Sequence, residues 1–226
     1  MTNAQRPVSA TTLSAMKKRG ERITCLTAYD AALARILSEA LVEMILVGDS
    51  LGMVVQGHDT TLPVTLDDMI YHSRCVARGI AQAEGRKPLL MVDLPFMSYA
   101  SIEQALHSAA RLMKEGMAQM VKLEGGAAQV ATVRALAAQG IPVCAHLGLT
   151  PQSVHKLGGY KVQGRDALAA KMMREDALAL QQAGADVLIL ECVPGTLAGE
   201  MREELNIPVI GIGAGADCDG QVLVSS

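Results

Sequence analysis

A (β/α)8 barrel, the TIM-barrel class of α/β fold, is the architecture predicted by this sequence of 226 residues, and three observations carry it. Short apolar runs alternate with helical stretches, which indicates parallel strands joined by helical crossovers. Eight such runs start near residues 23, 44, 89, 119, 142, 187, 208 and 222, and eight strands close a barrel that typically takes ~250 residues. Four of the runs end in an acid: Met44-Ile45-Leu46-Val47 leads to Gly48-Asp49-Ser50, Leu89 to Val92 reaches Asp93, Met120 to Leu123 reaches Glu124, and Asp186 to Leu190 reaches Glu191. Carboxylates gathered at the C-terminal ends of parallel strands meet ligand rather than core. An open doubly wound sheet is the alternative.

Taken in order, Thr12–Lys18 is expected as a short helix and Ile23–Ala28 as the first strand. A helix over about 31–40 follows, with Leu33, Ile36, Leu37 and Leu41 spaced for one buried face. Strand two is the run ending at Asp49. Gly52 to Pro63 reads as a loop too long to be a mere connector. Thr65 with Asp68 caps a helix that runs to about Ala83 and is ended by Gly85, and strand three runs to Asp93. Ser101 with Gln104 reads as a capping box for a helix to Glu115, and strand four ends at Glu124. A helix over about 127–139 stops at Gly140, and Ile141–His146 is strand five. A second long loop, Leu147–Arg165, precedes a helix capped by Asp166 and closed by Gly184. Strand six, a helical segment from Pro194 to Leu205, and strand seven over Ile207–Ile212 come next; strand seven repeats the Ile-Pro-Val start of strand five, as a repeated αβ unit would. Gly213-Ala214-Gly215 then leads through Asp217 and Asp219 to Val222-Leu223-Val224, the eighth strand.

Composition narrows the function. One domain suffices for the length, and a net charge of -3, from 20 Lys+Arg against 23 Asp+Glu, offers no field for a polyanion or an anionic membrane surface. With no Trp, one Phe and four Tyr, platforms for stacking nucleic-acid bases are scarce, and 13 Met help to fill the interior. No run approaches the ~20 apolar residues of a membrane-spanning helix, and the opening Met1–Pro7 has no apolar signal core, so a cytoplasmic protein is expected. Cys25, Cys75, Cys144, Cys192 and Cys218 form no CxxC pair and are odd in number, so they read as reduced core thiols.

The strand-end residues suggest chemistry. Asp49, Asp93 and Glu124 fall on neighbouring strands, and three hard oxygen donors on one arc suit Mg²⁺, which keeps waters and substrate oxygens in its other positions. The competing reading is that each acid caps a helix or pairs with a base. Lys122, two residues before Glu124, faces the same way, into the barrel; it either holds a substrate carboxylate or enolate oxygen or forms a structural ion pair. His146 is a polar contact for the substrate or a satisfied core histidine. Gly211–Gly215 is an anion cradle or a tight turn.

With these residues in place, the chain resembles the ketopantoate hydroxymethyltransferase family, also called 3-methyl-2-oxobutanoate hydroxymethyltransferase. The matching motifs are Thr27–Asp30, Val47–Met53 through Gln56–Asp59 to Leu62–Thr65, Asp93–Met97, Val121–Gly126, His146–Gln152, Gly158–Arg165, Leu190–Pro194 and Ile210–Gly215. They span almost the whole chain in order. The resemblance implies a barrel that uses Mg²⁺ and 5,10-methylenetetrahydrofolate to add a hydroxymethyl group to 3-methyl-2-oxobutanoate, on the route to pantothenate. By the same resemblance Asp49 and Asp93 are metal ligands, Glu124 is metal-associated, Asp49, Ser50, Asp93 and Lys122 contact substrate, and Glu191 is the proton acceptor. Pentamers or decamers are implied as well. The sequence departs from the family pattern where Gly116-Met117 stands in place of a small residue followed by Gly, and at Val224-Ser225-Ser226, beyond which the family continues into a last helical segment. Two rivals are a Mg²⁺-dependent lyase or mutase that enolises a 2-oxo acid without folate, and a non-catalytic barrel.

Overall fold

In the computed structural model, which describes residues 6–225, eight parallel strands close into a barrel in sequence order. They are β1 (Ile23–Thr27), β2 (Met44–Val47), β3 (Leu89–Asp93), β4 (Met120–Glu124), β5 (Val143–Gly148), β6 (Val187–Glu191), β7 (Val209–Ile212) and β8 (Gly220–Leu223). The closing seam pairs Ile23 with Gly220 and Leu26 with Leu223. The helices are α1 (Ala10–Arg19), α2 (Ala31–Glu39), α3 (Leu51–Val54), α4 (Leu66–Gln82), α5 (Ile102–Lys114), α6 (Val130–Ala138), α7 (Val154–Leu157), α8 (Ala167–Ala183) and α9 (Gly195–Glu204).

Strand alternation divides the apolar residues into two cores. Outward-facing Ile45, Val47, Leu90, Val92, Val121, Leu123, Leu188 and Leu190 pack against the surrounding helices. Inward-facing Cys25, Met44, Met91, Met120, Cys144, Val187 and Ile210 fill the lower barrel, where flexible methionines do the work of absent aromatics. Leu13 and Met16 of α1 join this second core, so the N-terminal helix plugs the bottom of the barrel.

Several boundaries move from those expected. α1 begins earlier, capped by Ser9 in a reciprocal box with Thr12. Thr65 and Asp68 form the expected box at α4, but that helix ends at Gln82 with Ala83 as its cap, before Gly85. Ser101 caps α5 by accepting from the Gln104 N–H, while the Gln104 side chain accepts from Ala100 N–H instead of Ser101, so the box is incomplete. Each supposed long loop contains helix: α3 in the first, a 3-10 turn over Pro151–Ser153 and α7 in the second. β5 and β7 start after their Ile-Pro pairs, because proline cannot donate to a ladder, and β8 starts earlier, at Gly220. No helix follows β8 among the described residues, and none of the helices is long and apolar enough to cross a membrane.

Candidate active site

The inward positions change character from the bottom of the barrel to the top. β3 reads Leu89, Met91, Asp93; β4 reads Met120, Lys122, Glu124; β5 carries Cys144 then His146; and β6 reads Val187, Ile189, Glu191. On the opposite side, Thr27, Leu46, Ile212, Val222 and Val224 stand at the same level. The resulting cavity, about 260 Å³, has a charged wall from β3–β6 with Asp49, and an apolar wall from β1, β2, β7 and β8. Asp49, Ser50, Asp93, Lys122, Glu124, His146 and Glu191 all line it.

The acids arrive by different local routes. Asp93, Glu124 and Glu191 are the last residues of their strands, whereas Asp49 lies in the turn between β2 and α3. Its backbone N–H donates to Asp93 Oδ2 at 3.0 Å, which draws the two carboxylates together. Gly48 makes room for this turn, since a Cβ there would stand 2.7 Å from Ser50 Oγ. Ser50 is held by Tyr29, hydroxyl to hydroxyl at 2.9 Å. Beyond Glu191 the chain turns sharply through Cys192, a non-glycine residue at φ 49°.

Lys122 Nζ lies 2.6 Å from Asp93 Oδ1, a buried ion pair. Burial works against the lysine charge, but Asp93, Glu124 and Asp49 outweigh it and raise its pKa. Asp49 is pushed up to about 7 by burial and then by the Asp93 charge, partly offset by Lys122. Burial also raises Glu124, again against Lys122. His146 is pushed down by burial and is neutral at pH 7. Its Nε2 is 3.3 Å from Glu191 Oε2 and its Nδ1 3.7 Å from Glu124 Oε1, neither in hydrogen-bond geometry. The Thr61 hydroxyl, also on the cavity wall, is buried and unpartnered. Unsatisfied buried polar atoms concentrated in one cavity mark a place built for a ligand.

This donor set fits a hard divalent cation. Asp49 and Asp93 crowd two carboxylates into a buried space where their mutual repulsion is answered only in part by Lys122, and a cation there would supply the missing charge. Among the described residues no three His, Cys, Asp or Glu side chains are grouped tightly enough to hold a metal by themselves. Water and ligand oxygens would complete the shell, as Mg²⁺ prefers. Of the Gly211–Gly215 stretch, only Ile212 lines the cavity; Gly215, at φ 81°, packs so closely on Gly195 that a Cβ would meet its Cα at 2.9 Å, so this is a tight turn. The sequence assigns no role to Tyr99 or Gln152, which sit behind the acids; Gln152 stands in a long loop and ends the His146–Gln152 motif.

The sequence model of the family described as ketopantoate hydroxymethyltransferase matches residues 7–226. A protein of Halorhodospira halophila named 3-methyl-2-oxobutanoate hydroxymethyltransferase is 61% identical over 217 residues, 96% of this chain and 77% of that protein. One of the same name from Nitrosococcus oceani is 58% identical over 96% of this chain and 80% of its own length. Among solved structures, oxaloacetate acetylhydrolase superposes with a TM-score of 0.70 at 16% identity, over 96% of this chain and 80% of that one. A phosphonopyruvate hydrolase complex with oxalate and Mg²⁺ superposes with a TM-score of 0.69 at 12% identity, over 95% and 80%. At such identities these two structures show a shared fold.

Proposed function

The chain belongs to the ketopantoate hydroxymethyltransferase family, and from that membership we propose that it makes 2-dehydropantoate (ketopantoate) from 3-methyl-2-oxobutanoate, taking the one-carbon unit from 5,10-methylenetetrahydrofolate, with Mg²⁺ as its resident cation. The observation that supports this most is the two-faced cavity: Asp49, Asp93, Lys122, Glu124 and Glu191 on one wall, and Leu46, Ile212, Val222 and Val224 on the other. A short 2-oxo acid with a branched alkyl end matches both walls.

Asp49 and Asp93 would hold the cation, with Glu124 beside them. Mg²⁺, when bound, supplies Lewis acidity that makes the C–H next to the keto group easier to ionise. Lys122, kept charged by its carboxylates, places a positive charge beside the oxygen on which negative charge develops. Glu191, on β6 across from Asp49 and Asp93, takes the C3 proton, with neutral His146 beside it, Nε2 3.3 Å from Glu191 Oε2. C3 then forms a bond to the folate methylene carbon, both bonds of that carbon to the folate nitrogens break, water supplies the hydroxyl, and tetrahydrofolate leaves carrying the protons. Homo-oligomeric assembly and a cytoplasmic setting belong to the same reading; sedimentation of the purified protein tests the first.

The proton transfer can be isolated from the carbon transfer by leaving folate out. In D₂O with 3-methyl-2-oxobutanoate and Mg²⁺, the protein should exchange the C3 hydrogen, and Glu191→Gln should slow that exchange by ~10²–10⁴-fold while still binding the acid. Equal exchange rates, followed by NMR, would remove Glu191 as the base. Cleavage of a carbon–carbon bond in a 2-oxo acid without folate would favour the lyase class.

A further inference from the structure

We propose that Gln152 is a positioning residue that sorts the oxygens of Asp49 and Glu124, and that Tyr99 sets the orientation of its amide. This deepens the reading above and rests on it for the roles of the two acids.

The side chain of Gln152 is buried, yet it does not line the main cavity; with Tyr99 it lines a separate cleft on the outer side of Glu124. It therefore reaches the acids from behind. Gln152 Nε2 donates to Asp49 Oδ2 at 2.8 Å and to the Leu94 carbonyl at 3.0 Å, while its backbone N–H donates to Glu124 Oε2 at 3.0 Å. One residue of the β5–α8 connection thus grips two carboxylates, one from the turn after β2 and one from the end of β4. Each acid is left with one anchored oxygen, Oδ2 or Oε2, and one without this anchor, Oδ1 or Oε1.

The direction of the amide is determined by its neighbours. The Glu124 N–H donates to the Tyr99 hydroxyl oxygen at 3.4 Å, and the hydroxyl donates to Gln152 Oε1 at 2.5 Å. A flipped amide would set Oε1 against the Asp49 carboxylate and the Leu94 carbonyl, acceptor against acceptor, and would leave both N–H donors without those partners. Both polar atoms of the Gln152 side chain are used in the observed direction; in the other, Oε1 would face two acceptors and only a contact from Nε2 to the Tyr99 hydroxyl oxygen would form. Burial makes such a fully satisfied network directional and costly to rearrange. The 3-10 turn over Pro151–Ser153 supplies the rigid base.

The test compares wild type, Gln152→Ala and Tyr99→Phe. Gln152→Ala keeps the backbone donor to Glu124 and removes the side-chain grip on Asp49 and the Leu94 carbonyl; Tyr99→Phe keeps the amide and the packing but removes the donor to Oε1, leaving Asp49 and Leu94 alone to direct the amide. Calorimetric titration with Mg²⁺ and 3-methyl-2-oxobutanoate should show affinity weakened about tenfold in Gln152→Ala and about threefold in Tyr99→Phe, as expected when a buried charged acceptor loses a donor. A role in packing alone would lower melting temperature and leave these affinities in place. Wild-type affinity in both variants overturns the proposal. If wild type itself binds neither ligand, the functional reading fails, and crystal structures of the variants then decide this one separately: an Asp49 carboxylate turned as in wild type in Gln152→Ala overturns it, and a rotated one supports it. Tyr99→Phe serves the same comparison if Gln152→Ala does not fold.

Discussion

Met117 adopts φ 63° with its side chain 59% exposed, so the turn into β4 asks an L-residue to take the left-handed conformation with little burial in return. Glycine takes that conformation freely. Met117→Gly should raise stability by about 1 kcal/mol, or about 2–4 °C in melting temperature, after the extra freedom of glycine in the unfolded chain is counted. Its neighbour behaves oppositely: a Cβ at Gly116 would stand 2.6 Å from the Leu112 carbonyl oxygen, so Gly116→Ala should lower the melting temperature. A null result in both melts would remove the turn as a source of strain. At Asp93 the expected effect is chemical. Asp93→Asn keeps size but gives up a hard donor and the ion partner of Lys122, so Mg²⁺ affinity measured by calorimetry should fall about tenfold or more. Unchanged affinity would take Asp93 out of the coordination shell.

Among the elements, α1 shows how a segment distant in sequence closes the barrel. Its apolar face plugs the lower core, and Lys17 reaches Asp219 Oδ2 at 2.7 Å and the Arg202 carbonyl at 2.8 Å. Asp219 also accepts from Arg202 Nε at 2.9 Å and from Val209 N–H at 2.9 Å. One buried carboxylate thus ties α1, α9 and β7 at the seam where β8 meets β1. Burial would raise its pKa, but Lys17, the Val209 N–H and Arg202 outweigh it and hold the group below the usual aspartate range. Such a depressed carboxylate stabilises the fold at pH values above its unfolded pKa, and the contribution is lost as pH falls through the folded value. Asp219→Asn keeps an acceptor for Val209 yet leaves Lys17 without its carboxylate and Arg202 with Glu203 alone, and should cost about 3 kcal/mol, read as a lower urea midpoint. An unchanged midpoint would show that the seam closes without this ion cluster. None of this was legible locally, since Asp219 reads in sequence only as an acid in a turn.

For the molecule as a whole, the site carries an electrostatic cost that a bound cation would relieve. Asp49 has a folded pKa of about 7 against an ordinary value of 3.8, so the folded state holds its proton more tightly than the unfolded chain does. The stability that this group contributes is fully present below its unfolded pKa and is lost as pH rises toward 7; Glu124, also raised, acts in the same direction. His146, pushed down, acts in the opposite direction, favouring the fold at and above its ordinary pKa of 6.5. Because a cation must displace the Asp49 proton, the Mg²⁺-induced rise in melting temperature should be larger at pH 8 than at pH 6, and Asp49→Asn should abolish most of that difference. Thermal melts with and without Mg²⁺ check this, and equal increments at both pH values would count against a cation at Asp49.

The linear pattern of residues was enough for the repeat of strand and helix, the count of eight, and the acids at the strand ends, because alternation and period depend on neighbours within a few positions. It also placed Lys122 and Glu124 on one face, since residues two apart in a strand point the same way. What the chain could not show locally is which groups meet across the barrel. The grip of Gln152 on Asp49 spans 103 positions and the clamp of Lys17 on Asp219 spans 202, and no local period encodes either. His146, ambiguous in sequence, is placed between Glu124 and Glu191 only by the register of β4, β5 and β6. The sequence by itself determined the barrel and the kinds of chemical groups at its mouth; closure of the sheet decided their partners, because burial and charge depend on distances in space that only the folded chain possesses.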